Sequence, residues 1–237
     1  MNRIFALVIF LLPVLVQAQL VVNDENAQER KVGAFTAIRI SNAIDLYLTQ
    51  GNEDAVAVSA IEVEYRDNIK TTVEDGVLKI SYDEASKFWG KSGNKKLKAY
   101  VSVRTLRALS ASGASDVRIT GTIKGDDVTF NFSGASDFRG NMDVNTLNVD
   151  LSGASDVFIS GRAETLKVSA SGASDFKGYE FQSENCEARA NGASDIQITV
   201  NKELNATASG ASGVYYKGTG VIRDIKSSGA SSISKRG

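Results

Sequence analysis

Five aspartates share one sequence column. Asp116, Asp137, Asp156, Asp175 and Asp195 each lie three residues after the glycine of a Ser/Asn-Gly-Ala-Ser tetrapeptide, and an apolar residue follows each at once. Stacked carboxylates of this kind admit three chemistries. In the first, Asp and Ser side chains hydrogen-bond backbone N–H groups at turns, and Arg118, Arg139 and Lys177, two residues further on, supply countercharge. In the second, neighbouring carboxylates and serine hydroxyls hold Ca²⁺ through oxygen ligands, although the repeat does not match the glycine-rich nonapeptide calcium motif. In the third, carboxylates on adjacent turns approach the roughly 5–5.5 Å spacing of a retaining glycosidase. That reaction needs one carboxyl raised in pKa beside an ionised partner, and five equivalent surroundings work against the asymmetry. The turn chemistry is preferred. It assigns no catalytic residue, metal ligand or cofactor, and leaves the column as a candidate binding surface.

Trp89 is the other binding candidate. It stands beside Phe88 in the polar, lysine-rich stretch 83–98, where its indole offers contact area and a polar N–H to a sugar or partner, or packs back on the fold. Other chemistries are excluded by composition. The 237 residues contain no histidine, which removes Ser–His–Asp and Cys–His nucleophile pairs and His-ligated zinc. The single Cys186 forms no intramolecular disulfide, and it shares a column with Val128, Leu147, Leu166 and Leu204, the place of a small buried hydrophobe. No phosphate loop or dinucleotide fingerprint is present. Lys+Arg 27 against Asp+Glu 28 leaves a net charge of −1, which gives no reason to expect a nucleic-acid partner.

Holding such a column takes a repeating backbone. The glycines of the tetrapeptide are Gly113, Gly134, Gly153, Gly172, Gly192, Gly210 and Gly229, spaced 21, 19, 19, 20, 18 and 19 residues apart. A period of this length marks a stacked architecture. Before each glycine the apolar residues alternate, as in Leu147/Val149/Leu151 and Leu166/Val168/Ala170. Four residues after it the column reads Val117, Phe138, Val157, Phe176, Ile196, Val214, Ile233. Period-2 alternation on both sides predicts two half-buried strands per repeat. Gly-Ala-Ser turns the corner between them, with the alanine expected to face inward. The fold expected is all-β: a parallel β-helix of about 19 residues per coil over 106–237, with a β-rich region, 19–105, capping it.

The first residues read as an export signal. Met1-Asn2-Arg3 precedes an apolar run of thirteen residues, Ile4 to Val16, and Val16-Gln17-Ala18 offers a cleavage site before Gln19. Thirteen residues fall short of the roughly 20 that span a bilayer. Removal of 1–18 leaves a chain with no predicted membrane span and no cysteine for a lipid anchor. In the last coil, Arg223 and Ser227 stand where earlier copies are apolar, a charged edge that predicts a monomer or weak dimer.

Lys98-Ala99-Tyr100-Val101-Ser102-Val103, then Leu106, Leu109 and the Ser-Gly-Ala-Ser-Asp repeats, resemble the auto-transporter adhesin head domain, or GIN domain, of exported Bacteroidetes-type proteins. The resemblance spans residues 35–233 as one continuous domain. It departs from the family at Ala43-Ile44-Asp45, near where a Gly-Ile-Asn signature is expected, and at Arg104, where relatives often place proline. It implies a right-handed β-helix of the pectate-lyase type and an adhesive role. The function expected is a non-enzymatic exported protein of the periplasm, outer-membrane surface or medium that binds a glycan or envelope component. A pectinase-like polysaccharide hydrolase or lyase is the alternative, and a lipid or small-molecule binder the second.

Overall fold

The computed structural model describes residues 23–83 and 94–237. The N-terminal segment read as an export signal, and Trp89 with Phe88, lie outside the described residues. In chain order the elements are β1 (Gln28–Arg30), β2 (Ala37–Ile40), β3 (Asp45–Gln50), β4 (Ala55–Ser59), the short helix α1 (Val63–Asp67), β5 (Ile69–Glu74), β6 (Val77–Tyr82), β7 (Lys98–Val103) and β8 (Ala108–Ala111). Five long strands follow: β9 (Val117–Phe132), β10 (Phe138–Leu151), β11 (Asp156–Ala170), β12 (Asp175–Gly192) and β13 (Asp195–Gly210). The chain closes with β14 (Gly213–Lys217), β15 (Val221–Gly229) and β16 (Ser232–Lys235).

These strands wind into a parallel β-helix. Along the side that precedes each glycine, β6, β2, β8, the second halves of β9 to β13, and β15 stack in parallel register. Along the side that follows it, β7, β3, the first halves of β9 to β13, β14 and β16 do the same. Each of β9 to β13 therefore runs around two sides of one coil. Differences in repeat length are absorbed between those sides, for instance where the register slips between Arg139 and Asn141. The first coil's edges are covered by antiparallel strands, β5 on β6 and β4 with β1 on β7. These additions cover the parallel edges of the first coil with short antiparallel strands, one of the devices that blunt an edge against further pairing.

The predicted columns are the core. Leu147, Leu166, Cys186 and Leu204 lie in register, all buried. Burial also pushes the Cys186 thiol well up, which leaves it protonated and inert. Phe130, Phe132 and Phe138 form a ring cluster with centroids 4.9 to 5.8 Å apart. Where the post-glycine column carries phenylalanine, the residue two further on is glycine: Phe138 with Gly140, Phe176 with Gly178. A Cβ at Gly140 would sit 2.9 Å from the Phe138 ring and from Ile119. Coils with a smaller residue, Val157 or Ile196, carry Ile159 and Ile198 instead. Volume is conserved within each coil, as close packing demands.

The corner differs from expectation in one respect. The alanines of the tetrapeptide face solvent, and the serines face inward: Ser115, Ser136, Ser155, Ser174 and Ser194 are fully buried. The strand alternation accounts for this, because the inward residue four after the glycine places the residue two after it inward as well. Serine is tolerated there because its hydroxyl is satisfied locally. Ser155 Oγ donates to the Ser152 carbonyl at 3.1 Å, and Ser115, Ser136 and Ser194 repeat the bond. The alanine contributes its backbone, as the Ala154 N–H donates to the Gly134 carbonyl at 2.7 Å and each coil repeats it.

Arg223 is a second correction. A register shift after Leu204 pairs Ile222, not Arg223, with that column, and Arg223 turns outward to an ion pair with Glu203. Val221, Ile222 and Ile225 stay exposed on this last coil.

Candidate functional site

The aspartates lie on the outer side of the post-glycine strands, one per coil. Asp156 pairs with Asp175 and Asp175 with Asp195 in the parallel register. Strands about 4.8 Å apart bring such carboxylates close enough to repel by roughly 1 kcal/mol in water. Two devices offset the repulsion. Cations bridge some members: Arg118 to Asp116 at 2.9 Å, and Lys177 to both Asp156 at 2.9 Å and Asp175 at 3.3 Å. A backbone N–H of the next coil is the other, with the Asp195 N–H donating to Asp175 at 3.3 Å.

The compensation is incomplete. The carboxyls of Asp137 and Asp195 are pushed up, first by desolvation and then by the charge of neighbouring aspartates. Asp45 belongs with them. Because Leu46 pairs with Val117, Asp45 sits opposite Asp116, and it is raised by burial and by that neighbour. The sequence column missed it because the corner reads Ser41-Asn42-Ala43 instead of Ser-Gly-Ala. Asn42 takes φ 65°, the left-handed angle that glycine supplies elsewhere. Lys98, in register with Asp45, ends the column and reaches Asp24 at 3.1 Å. Among the described residues no group of three or more Asp, Glu, His or Cys is placed to hold a metal ion.

A second row lies two residues past the aspartates. Tyr100, Tyr47, Arg118, Arg139, Phe158, Lys177, Gln197 and Tyr215 succeed one another coil by coil. The planar groups stack along the axis. Tyr47 and Tyr100 lie 5.1 Å apart, and Arg139 and Lys177 cover the Phe158 ring at 4.1 and 4.6 Å. Cation–π contact of this kind fixes long side chains that would otherwise wave in solvent. Beside the row runs an open groove of about 730 Å³, walled by Tyr47, Arg118, Arg139, Phe158, Lys177 and Glu180. Its floor carries Asn141, whose amide donates to Ser160 Oγ at 2.9 Å and accepts from Thr122 at 3.0 Å. In the sequence these cations read only as countercharge. The signal was the same alignment carried one outward position further, where Arg118, Arg139, Phe158 and Lys177 put bases and an aromatic ring in one column.

Comparison with known families agrees with the fold. A family model described as "Putative auto-transporter adhesin, head GIN domain" matches residues 34–220. The chain belongs to the GIN-domain family. Solved structures similar to this GIN domain include a putative adhesin from Bacteroides fragilis, 23% identical, with a TM-score of 0.82 over 89% of this chain and 96% of that one. A putative lipid binding protein from Parabacteroides distasonis is 19% identical with a TM-score of 0.68, over 89% of this chain and 96% of that one. A putative adhesin from the same species is 18% identical with a TM-score of 0.63, over 88% and 96%. At these identities the likeness is one of fold. Comparison with curated proteins gives no match. No helix among the described residues is long and apolar enough to cross a membrane.

Proposed function

We propose that this GIN-domain protein is exported and acts without catalysis, as an adhesin that binds a glycan or another envelope component through the outer surface of its coils. The observation that carries this reading is the groove beside the aromatic and cationic row: an open surface of stacked aromatic and cationic side chains on a rigid scaffold. Sites on strands are held more closely than sites on loops. The packed interior, with Phe130, Phe132, Phe138, Phe176 and Phe181 all buried, favours surface binding over carriage of a lipid inside the coil. The apolar run Ile4 to Val16 with cleavage after Ala18 supports export to the periplasm, cell surface or medium. The reading needs no cofactor.

The test uses the mature protein, residues 19–237, on a glycan array, with reducing-sugar release measured on the same polysaccharides. Binding without release is the expected result. Release would put the polysaccharide-active enzyme first, and absence of binding to any glycan would direct the search to proteins of the envelope. Light scattering of the same sample is expected to show a monomer or weak dimer.

A further inference from the structure

The groove over β9 to β12 has a charge of its own. Arg118, Arg139 and Lys177 line it, against Glu180 as its one carboxylate. Two of these cations are engaged, Arg118 with Asp116 and Lys177 with Asp156 and Asp175. Arg139 is different. Among the described residues no carboxylate lies within salt-bridge distance of it, and its guanidinium rests on the Phe158 ring 4.1 Å from the centroid. A guanidinium held by its face keeps its N–H edge free, and that edge matches a carboxylate or sulfate in a two-pronged contact. Asn141, Ser160 and Thr120 set neutral polar groups beside it, suited to hydroxyls.

We propose that this groove binds an acidic polysaccharide, with Arg139 as the anchor for the anionic substituent of one sugar and the polar floor for the hydroxyls of its neighbours. The proposal rests on the adhesin reading and gives that reading a place and a ligand class. Charge density selects the occupant. The aspartate column runs one outward row away from the cations, so a dense polyphosphate, with a charge every ~1.7 Å in duplex DNA, would meet repulsion along its length. A chain with at most one anionic group per sugar places its charge at Arg139 and spans the column with neutral atoms.

Affinity electrophoresis of residues 19–237 tests this, in gels containing polygalacturonate, alginate or chondroitin sulfate and, in parallel, dextran or hydroxyethyl cellulose. Retardation by at least one acidic polysaccharide and by neither neutral one is expected, weakening as salt rises. Arg139→Ala should weaken the retardation about tenfold or more, and Arg139→Lys, which keeps charge and loses the fork, should fall between. Lys167→Ala, exposed on the pre-glycine strand of β11, should change nothing. Thermal melts of all variants confirm that each is folded. Retention by a neutral polysaccharide that survives Arg139→Ala would overturn the proposal while leaving the adhesin reading intact. Tighter binding to anionic phospholipid vesicles than to any polysaccharide would overturn the proposal and leave the reading of an envelope-binding protein standing, whereas tighter binding to single-stranded DNA would overturn both.

Discussion

Replacing a corner glycine with alanine should cost far more where the coil beneath presents another corner glycine than where it presents Asn42. Gly113 and Gly153 have nearly the same backbone, φ +84° and +79°. For an L-residue that conformation costs roughly 1–2 kcal/mol. What differs is the coil beneath. A Cβ on Gly113 would meet nothing nearer than the Asn42 nitrogen at 3.4 Å, an ordinary contact. A Cβ on Gly153 would stand 2.5 Å from the Gly134 carbonyl oxygen, which is also the acceptor of the Ala154 N–H at 2.7 Å. The coil must open or that bond must bend, and a lost hydrogen bond adds about 1 kcal/mol before any repacking. Gly113→Ala should therefore lose about 1–2 kcal/mol, and Gly153→Ala about 3 kcal/mol or more. Urea denaturation of the mature protein followed by far-ultraviolet circular dichroism reads the difference. Equal losses, within about 0.5 kcal/mol, would refute the reasoning and leave the backbone angle as the glycines' sole requirement.

Three further outcomes are expected. Asp24 accepts hydrogen bonds from Tyr100 at 2.8 Å, Ser59 at 2.9 Å and Lys98 at 3.1 Å, and although burial opposes them, they hold its pKa down to about 2. A depressed carboxyl stabilises above its unfolded pKa and loses that contribution as pH falls towards 2, so Asp24→Asn should cost up to about 2 kcal/mol at neutral pH and nothing at pH near 2. Asp137 and Asp195 run the other way: their raised pKa values favour the native state below the ordinary carboxylate range and weaken it as pH rises through the shifted values. Asp137→Asn should accordingly melt higher than wild type at neutral pH, by up to about 1 kcal/mol of stability, whereas Lys177→Ala, which leaves Asp156 and Asp175 facing each other, should melt lower. Gly178→Ala should destabilise by about 1–3 kcal/mol because its Cβ collides with the Phe176 ring, and a double-mutant cycle with Phe176→Val should recover part of that loss.

The coil was legible in the sequence because its physics repeats. The column Val128, Leu147, Leu166, Cys186 and Leu204 fixes which residues face inward five times over, and a slip of one residue would expose them all. What the alignment missed lies where a coil departs from the pattern. Asn42 replaces a glycine at a left-handed position, so Asp45 escaped the aspartate column. One bulged residue moved Ile222 into the place assigned to Arg223. The inward serine was hidden by its polarity, which suggests a surface until the local bond from Ser155 to the Ser152 carbonyl is seen. The groove was hidden for a different reason. Arg118 and Lys177 do serve as countercharge, and what separates Arg139 from them is that no carboxylate among the described residues lies within salt-bridge distance of it, which only the packed coils show.

A crystal structure of the mature protein soaked with an oligosaccharide of galacturonate or of the alginate uronic acids tests the central claim most directly. The account predicts sugar density in the groove between Arg118 and Lys177, a carboxylate on the Arg139 guanidinium, and intact glycosidic bonds. Sugar bound instead over the pre-glycine face around Arg39 and Ser110, or cleaved fragments beside the aspartate column, would contradict it.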